Sequence, residues 1–386
     1  MPPFRLLNKE RTTQARRGEI TTPHGTIATP VFMPVGTAAT VKAVTSEELE
    51  ALGAEIILGN TYHLMLRPGE KVVEKLGGLH QFMGWQRPIL TDSGGYQVFS
   101  LALRRKILPE GVCFQSHIDG DEYFLTPQRA IEIQEALGSD IAMVLDECTP
   151  YPATREEAEK SMRLSLEWAK KSLIAKSPFR PPLSKGETGG FLNRPLLFGI
   201  IQGGFYPDLR KNCLDELASH PFDGLALGGL SVGEPQEACY TIGSEITPLL
   251  PADKPRYLMG MGLPEDIVEA VGWGVDMFDC VIPTRNARNG QLFTPSGPIQ
   301  IKQTQYREDP RPIDENCSCP VCKKYSRAYL RHLYLAKEIL SPCLNTIHNL
   351  HFYLDLMRRI RRAIEENRYS QFKKEFYAKY SPRPNQ

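Results

Sequence analysis

The sequence of 386 residues contains no long hydrophobic run and no excess of one charge sign. No apolar stretch approaches the roughly 18 residues that a membrane-spanning helix needs. The segment 1–20 lacks the apolar core of a secretory signal. We therefore expect a cytoplasmic protein without membrane spans. The 46 Lys and Arg residues nearly balance the 45 Asp and Glu residues, which leaves a formal net charge of +1 and excludes a chain that is basic or acidic throughout.

The glycine-rich fingerprint GxGxxG is also missing after the first predicted strand, which removes the main reason to expect a Rossmann fold. An apolar fraction of 41% with 9% aromatic residues is ample for a buried core and excludes global disorder. At about 150 residues per domain the length allows two or three domains. It fits one barrel of about 250 residues with an appendage equally well.

Eight short runs of β-branched and apolar residues recur along the chain, each ending in small or polar residues. They occupy residues 31–36, 55–60, 88–95, 140–148, 196–204, 224–229, 256–262 and 275–283. The segments between them carry N-cap residues followed by apolar residues at helical spacing. Continuously apolar strands that alternate with helices are typical of an α/β fold whose parallel sheet is covered on both faces. Eight of them favour a closed (β/α)8 TIM barrel.

Two segments do not follow the barrel repeat. Residues 177–195 are rich in Pro, Gly and Ser, which is typical of a surface insertion. Residues from 285 onward contain a cysteine cluster and a basic helical tail. We therefore predict a catalytic barrel over residues 1–284 and an appended C-terminal zinc-binding subdomain over residues 285–386 that packs on the barrel.

Three aspartates, Asp92, Asp146 and Asp279, follow predicted strands. In a (β/α)8 barrel the active site lies at the C-terminal ends of the strands, so these carboxylates are expected to face one cavity. Like charges that close raise at least one pKa, which suits proton transfer beside a nucleophile. Each aspartate taken alone is equally compatible with a helix N-cap.

Further candidate residues follow the predicted strands. They are Ser93, Gln202, Gly203, Gly204, Gly228, Gly229 and Met259. The glycine pairs either leave backbone amides open to a flat ligand or simply make tight turns.

The nine cysteines occur without a secretory signal, so thiols or metal ligands are expected rather than a disulfide framework. Three of them form the cluster Cys317-x-Cys319-x2-Cys322. Three thiolates and one imidazole make a closed tetrahedral zinc set, which is structural rather than catalytic because no coordination position stays open. The histidines available as the fourth ligand are His332, His348 and His351.

Positive charge is concentrated at the C-terminal end. Residues 323–386 contain 14 basic and 5 acidic residues, a local net charge of +9, so the rest of the chain carries about −8. A polyanion can dock on such an end through counterion release. The alternative is a set of solvated helix faces without a partner.

Longer motifs give a specific resemblance. RRGEITTPHGTIATPVFMPVGT, ILGNTYHL, LRPG, LTDSGGYQVFS, QGG, LGGLSVGE, VDMFDCVIPTRNARNGQLFT and CSCPVC follow one another over nearly the whole chain. In this order they resemble the bacterial tRNA-guanine transglycosylase (queuine tRNA-ribosyltransferase) family. The resemblance implies exchange of the wobble guanine of tRNAs with GUN anticodons (Asp, Asn, His and Tyr acceptors) for 7-aminomethyl-7-deazaguanine, a step in queuosine biosynthesis. It also implies a homodimer that binds the tRNA anticodon loop.

The resemblance further implies a role for each site residue. Asp279 would attack the anomeric carbon of the ribose, and Asp92 would accept and donate protons. The residues implied to hold the base are Asp92, Tyr96, Asp146, Gln202, Gly229, Leu230 with Glu234 behind it, and Met259. Arg285 and Arg288 would contact the RNA. One zinc ion per subunit would be held by Cys317, Cys319, Cys322 and His348.

Physical chemistry supports these roles. Cleavage of an N-glycosidic bond develops positive charge on the ribose, and a carboxylate on one face stabilises that charge and traps the sugar. Two such displacements give net retention, as in retaining glycosidases. Two other hypotheses stand beside this one: a zinc-stabilised RNA-binding protein without base exchange, and a different barrel enzyme that acts on a small purine-like substrate.

Overall fold

The computed structural model describes residues 2–102, 104–176 and 195–381. The predicted insertion at 177–195 lies outside the described residues except for residue 195. The strands are, in chain order, β1 (Phe4–Lys9), β2 (Arg16–Thr22), β3 (Gly25–Thr29), β4 (Val31–Gly36), β5 (Ile57–Gly59), β6 (Ile89–Thr91), β7 (Arg105–Leu108), β8 (Gly111–Gln115), β9 (Glu122–Leu125), β10 (Ile141–Met143), β11 (Leu196–Ile201), β12 (Gly224–Leu227), β13 (Arg256–Leu258), β14 (Met277–Cys280), β15 (Gln291–Leu292) and β16 (Ile299–Gln300).

The helices alternate with the strands and then dominate the C-terminal part. They are α1 (Ser46–Leu52), α2 (Thr61–Leu66), α3 (Glu70–Lys75), α4 (Gly78–Met83), α5 (Gly95–Leu101), α6 (Pro127–Ala136), α7 (Arg155–Ala175), α8 (Pro207–Ala218), α9 (Gln236–Ile246), α10 (Pro264–Trp273), α11 (Ile282–Arg288), α12 (Pro320–Lys324), α13 (Arg327–Leu335), α14 (Leu340–Glu365) and α15 (Tyr369–Lys379). Within the described ranges, none of them has the length and apolar character needed to cross a bilayer.

Eight strands close into a parallel barrel in the order β4, β5, β6, β10, β11, β12, β13, β14 and back to β4. Each of the eight predicted apolar runs contains one of them, so the predicted (β/α)8 barrel is confirmed. Every residue of β4, β5, β6, β10, β12 and β13 is buried. Barrel side chains fill one face and helices cover the other, which is why these strands are apolar throughout.

Two antiparallel sheets of three strands lie outside the barrel. The sheet of β1, β2 and β3 packs at the N-terminal end of the barrel strands. There Arg16 in β2 donates from Nε to the carboxylate of Asp276, just before β14, at 3.0 Å. The sheet of β7, β8 and β9 is inserted between α5 and α6. Its β7–β8 turn is joined to α7 by the indole N–H of Trp168, which donates to the Pro109 carbonyl at 3.0 Å.

The long helix α14 holds the C-terminal part against the barrel. The Tyr353 hydroxyl donates to the carbonyl of Gly262 at 2.7 Å, and the Asn349 side-chain N–H group donates to the Pro283 carbonyl at 3.0 Å. These contacts join α14 to the chain after β13 and to α11 after β14. The predicted boundary between residues 284 and 285 falls inside α11, so the division into a barrel and a subdomain stays a prediction.

Candidate active site

Asp92 follows β6 and lies in a turn on which neutral donors converge. The Thr61 N–H donates to Oδ1 at 2.9 Å, the Gly94 N–H donates to the same oxygen at 3.2 Å, and the Asn60 amide donates to Oδ2. The residue is only 8% exposed. Burial raises the pKa of Asp92 to about 6 against the opposing effect of these donors. A carboxyl group with that pKa exchanges protons readily near neutral pH.

Asp279 lies near the end of β14 and is anchored through one of its two oxygens. The Tyr257 hydroxyl donates to Oδ1 at 2.6 Å, and the Gly260 N–H donates to the same atom at 2.9 Å. Burial raises the pKa of Asp279, and the two hydrogen bonds oppose that effect. Burial and the nearby Asp279 charge raise the pKa of Tyr257 well above its ordinary value, so the phenol keeps its proton and stays a donor.

Asp146 follows β10 and pairs with a neutral amide. The Gln202 Nε2 group donates to its Oδ2 at 2.7 Å. Burial raises the pKa of Asp146 to about 6, with the Gln202 hydrogen bond acting against it and the charge of Asp92 adding to it. The turn after Asp92 approaches closely here: a Cβ atom at Gly95 would lie 2.7 Å from the Asp146 carbonyl oxygen. Only glycine fits at that position without moving the backbone.

The three carboxylates face one region at the C-terminal ends of the strands, as the sequence predicts. The charge of Asp279 raises the pKa of Asp92, and the charge of Asp92 raises the pKa of Asp146. The alternative interpretation of the aspartates as helix N-caps is wrong. The N-cap residues of α5, α7 and α11 are Gly94, Thr154 and Val281.

Gly228 and Gly229 follow β12 and pack directly on Gln202. A Cβ atom at position 228 would lie 2.8 Å from Gln202 Nε2, and one at position 229 would lie 2.5 Å from Gln202 Oε1. Gly229 has a φ of +64°, which L residues rarely adopt. Among the described residues, the buried Gln202 Oε1 has no hydrogen-bond partner. The turn at Gly229 agrees with the interpretation as a tight turn, and the opening of backbone amides to a flat ligand stays a prediction.

The remaining predicted base-binding residues differ in exposure. Leu230 is buried, Met259 is half-buried against the barrel core, and Tyr96 at the start of α5 is 48% exposed. After Leu230, the next two backbone N–H groups donate to the carboxylate of Glu234, which holds this loop closed on itself. The exposed Tyr96 ring leaves room for a flat ligand to lie against it.

Arg285 and Arg288 project from α11, directly after the strand that carries Asp279. Arg285 is exposed, and Arg288 is half-buried with one N–H group donating to the Thr284 carbonyl at 2.9 Å. Burial and the charge of Arg285 lower the pKa of Arg288, so the two cations lie close together. They give the mouth of the barrel a local positive charge beside its carboxylates.

Part of the positive charge of the C-terminal tail is paired within the protein. Among the described residues, the tail cations with a carboxylate partner are Arg327, Arg358, Arg361, Arg362, Arg368 and Lys373. Cations that are already paired release fewer counterions when a polyanion binds. Three of these pairs use the tail's own carboxylates, Asp355 and Glu366, which the net charge of +9 already counts. Most of the excess positive charge is therefore not paired in this way, and the docking of a polyanion on the tail stays a prediction.

Sequence reasoning missed the residues that hold the carboxylates and the strand-end loops. Asn60 and Tyr257 donate to Asp92 and Asp279, and the fully buried Arg210 of α8 donates to backbone carbonyls of the loops after β11 and β12. A signal for Arg210 existed. It stands on the apolar stripe of α8, where positions 213, 214 and 217 are also buried, and a charged residue on such a stripe needs partners inside the protein.

The predicted metal cluster assembles around one imidazole nitrogen. His348 Nδ1 lies 3.9, 3.6 and 3.4 Å from the sulfurs of Cys317, Cys319 and Cys322. Tetrahedral bonds of about 2.3 Å to sulfur and about 2.0 Å to nitrogen place such atoms roughly 3.5 Å apart, so the four residues fit a metal ion.

The same geometry decides among the three histidines that the sequence left open. His348 Nε2 donates to the Phe293 carbonyl at 2.8 Å, which fixes the tautomer that leaves Nδ1 free to bind a metal. His351 approaches Cys317 only, at 3.7 Å, and turns its other nitrogen to Ser318. Within the described residues, His348 rather than His332 or His351 completes the group.

Comparison with known proteins identifies the family. The profile described as "Queuine tRNA-ribosyltransferase" matches residues 10–382. Proteins named "Queuine tRNA-ribosyltransferase" from Caldanaerobacter subterraneus subsp. tengcongensis and Thioalkalivibrio sulfidiphilus are 55% and 57% identical to this chain. The first covers 98% of this chain and 97% of the relative, and the second covers 95% of each. The relative of the same name from Dichelobacter nodosus is 56% identical over 96% of this chain and 98% of its own. The chain therefore belongs to the queuine tRNA-ribosyltransferase (tRNA-guanine transglycosylase) family.

Proposed function

We propose that this glycosyltransferase exchanges the wobble guanine of tRNAs with GUN anticodons, which accept Asp, Asn, His and Tyr, for 7-aminomethyl-7-deazaguanine in queuosine biosynthesis. The observation that supports it most is the group of three carboxylates at the C-terminal ends of the barrel strands, of which Asp92 is buried and Asp146 and Asp279 are half-buried, each held by neutral donors. Such carboxylates are able to attack a sugar, move protons and accept hydrogen bonds from a base.

Asp279 acts as the nucleophile in this proposal. Both of its recorded hydrogen bonds fall on Oδ1, so Oδ2 is the atom available to attack the anomeric carbon. The donors from Tyr257 and Gly260 also stabilise the ionised form that the attack requires. Attack by Asp279 releases guanine and gives a covalent ribosyl-aspartate. The entering base then attacks the same carbon from the opposite side, so the configuration is retained overall.

Asp92 moves the protons. The departing guanine carries negative charge that a proton neutralises, and the entering base must lose a proton as it bonds to the sugar. A carboxyl group with a pKa of about 6 serves both steps near neutral pH, because neither of its forms is costly there. Its neighbour Asp279 lies close enough for the two charges to interact, which keeps both groups beside one reacting centre.

The base is recognised on its polar edge and its faces. Asp146 accepts from the N–H groups of the guanine edge, while Gln202 and the Gly229 N–H donate to the carbonyl oxygen of the base. The Leu230 carbonyl accepts from the aminomethyl group, with the Glu234 carboxylate behind it. The two faces of the ring are covered by Tyr96 and Met259. Stacking of this kind returns about 1–3 kcal/mol per base.

The anticodon loop is held by Arg285 and Arg288 at the mouth of the barrel, and the target guanine leaves a single-stranded stack at a cost of only a few kcal/mol. The metal at Cys317, Cys319, Cys322 and His348 is zinc, because three thiolates and an imidazole are the donor set that structural zinc prefers. It links the segment before α12 to α14 and takes no part in the exchange.

A homodimer is part of the proposal. Leu335, Ile339 and Leu340, around the junction of α13 and α14, are exposed apolar side chains, and Ile339 is 82% exposed. A second copy of the chain on this surface would remove them from water. Sedimentation equilibrium should give twice the chain mass, and a monomer across the micromolar range would contradict this part.

The decisive experiment uses an unmodified tRNA with a GUN anticodon, radiolabelled at the wobble guanine. With 7-aminomethyl-7-deazaguanine, the wild-type protein should release the label, and Asp279→Asn should neither release it nor form a covalent adduct on denaturing gels. Asp119→Asn, an exposed aspartate in the β8–β9 turn, is the matched control and should behave as wild type. Tight tRNA binding without label release would favour the RNA-binding alternative, and activity on free nucleosides would favour a different barrel enzyme.

A further inference from the structure

Arg210 on α8 is a fully buried cation whose recorded hydrogen bonds all go to backbone carbonyls rather than to a carboxylate. Its Nε donates to the Gly204 carbonyl at 2.7 Å, and its Nη1 donates to the Ile201 carbonyl at 3.2 Å. Its Nη2 donates to the Gly228 carbonyl at 2.9 Å. One guanidinium therefore ties the end of β11 and the loop that follows it to the loop after β12.

The bond to Gly228 determines where the next N–H group points. A trans peptide is planar, so the carbonyl of Gly228 and the N–H of Gly229 point in opposite directions. Because Arg210 on α8 holds that carbonyl, the Gly229 N–H is turned away from α8. Within the described part of the chain this N–H has no recorded acceptor. It is therefore available to a ligand that lies against Gln202.

A pair of glycines cannot hold this orientation by itself. Glycine populates positive and negative φ about equally, so a Gly228–Gly229 peptide without a fixed partner has little resistance to rotation. Side chains at these positions are not an option either, since Cβ atoms there would lie within 3 Å of Gln202. A planar fork of donors on a neighbouring helix supplies the restraint that the loop itself lacks.

We propose that Arg210 is a positioning residue for base exchange, which fixes the Gly228–Gly229 peptide so that the Gly229 N–H faces the base. The inference rests on the proposed function and deepens it, since it assigns the orientation of a base-binding group to a residue that does not contact the base. Burial lowers the pKa of Arg210 to about 10, so the group is still cationic and a full donor at neutral pH.

The test compares Arg210→Met, which removes every donor at similar volume, with Arg210→Lys, which keeps the charge but not the planar fork. The readouts are the KM for radiolabelled guanine entering tRNA, the Kd of guanine from calorimetry and the Kd of tRNA. Arg210→Met should raise KM and Kd for guanine about tenfold or more, and Arg210→Lys should fall between it and wild type. Affinity for tRNA should change less than twofold in both variants.

Arg256→Met is the matched control. Arg256 is also buried, donates to the carbonyls of Leu250 and Pro251, and has its pKa lowered by burial to about 10, but it stands at the start of β13 at the opposite end of the barrel. The variant Arg256→Met should lose about as much thermal stability as Arg210→Met, while its KM for guanine should stay within twofold of the wild-type value. KM is the informative quantity because it does not depend on the fraction of protein that is folded.

A merely structural role for Arg210 predicts a different result: a lower apparent kcat from fewer active molecules, with KM unchanged in both variants. If the wild type exchanges guanine and both Arg210 variants keep an unchanged KM, the positioning role of Arg210 is overturned and the proposed function stands. Failure of the wild type to exchange guanine overturns the proposed function and this inference with it. If Arg210→Met does not fold, the KM of Arg210→Lys for guanine and the hydrogen exchange of the Gly229 amide in the wild type test the proposal. Guanine should slow exchange of the Gly229 N–H at least tenfold, and an unprotected amide refutes the proposal.

Discussion

Replacing Asp92 by Asn should make the protein more stable, because the carboxylate is ionised at neutral pH although burial makes its ionisation unfavourable. The same substitution should abolish base exchange, because it removes the group that moves the protons. Burial raises the pKa of Asp92 to about 6. Asn at this position keeps an oxygen for the Thr61 N–H, and a half-turn of the Asn60 side-chain amide lets its oxygen accept from the new N–H group. The substitution therefore removes a charge while it keeps the hydrogen bonds with Thr61 and Asn60.

The size and the pH dependence of the effect follow from linkage. The folded protein binds the Asp92 proton more tightly than the unfolded chain, so wild-type stability falls as the pH rises from about 4 to about 6. A pKa raised from about 4 to about 6 corresponds to about 3 kcal/mol at neutral pH and above. Below about pH 4 the carboxyl group is neutral in both states, and the advantage of Asp92→Asn should vanish. Unfolding entropy for 386 residues is about 0.8 kcal/mol/K, so the predicted rise in Tm is about 4 °C.

Differential scanning calorimetry of metal-loaded wild type and Asp92→Asn from pH 4 to pH 8 measures this curve. The difference in Tm should grow from near zero to about 4 °C across that range. Asp119→Asn serves as the control of opposite sign, since the backbone N–H of Asp121 lowers the pKa of the exposed Asp119. A Tm difference that is independent of pH, or an Asp92→Asn protein less stable than wild type at pH 8, would refute the reasoning.

Three further predictions concern the same groups. The kcat/KM for the entering base should fall below about pH 6, because Asp92 with its pKa of about 6 loses the ionised form that accepts a proton from that base; a flat acid limb down to pH 4.5 would contradict this. Tyr257→Phe removes the hydroxyl donor to Asp279, raises the pKa of Asp279 further and should cut the rate of guanine release from tRNA at pH 7 about tenfold; an unchanged rate would contradict the assigned contact. Cys319→Ser should lose the metal, measured by elemental analysis, together with cooperative melting of the C-terminal part, whereas Cys343→Ser outside the cluster should keep both.

The barrel could be predicted from the sequence because its strands are covered on both faces. Residues 196–201 and 224–227 are apolar almost without interruption, and such a run can be recognised in the sequence alone. The sheet of β7, β8 and β9 could not be predicted in the same way. This sheet lies outside the barrel, and β7 is exposed along most of its length. The residues of β7 therefore show no apolar pattern that would identify a strand in the sequence.

The metal cluster could be predicted from the sequence only in part. Three cysteines within six residues identify the site from the sequence, since local spacing brings their sulfurs together. The fourth ligand comes from α14, more than twenty residues away, where two histidines stand one turn apart. The Phe293 carbonyl selects His348 by fixing its tautomer, and a contact between residues 55 positions apart leaves no trace in local spacing.

Aspartates beside β10 show what the sequence cannot distinguish at the active site. Asp140 precedes the strand and Asp146 follows it, and both are at least partly buried. Against the effect of burial, hydrogen bonds from His80 and His24 hold the pKa of Asp140 below its ordinary value. Within the described residues, Asp146 receives its side-chain hydrogen bond from the Gln202 amide, and burial raises its pKa to about 6. Two aspartates of one strand thus have pKa values displaced in opposite directions.

The strand β14 shows a similar difference in partners between its two ends, although burial raises the pKa of both of its aspartates. Asp276 at its N-terminal end forms a buried ion pair with Arg16. Asp279 near its C-terminal end accepts, among the residues that the structure describes, from the neutral Tyr257 hydroxyl and Gly260 N–H. A carboxylate with a cationic partner is neutralised in place and serves as a structural link. A carboxylate with neutral donors keeps an uncompensated negative charge, which suits it to meet positive charge that develops on a ribose. The strand direction decides which aspartate has which neighbours, so the reactive carboxylates are identified by their partners and not by residue type.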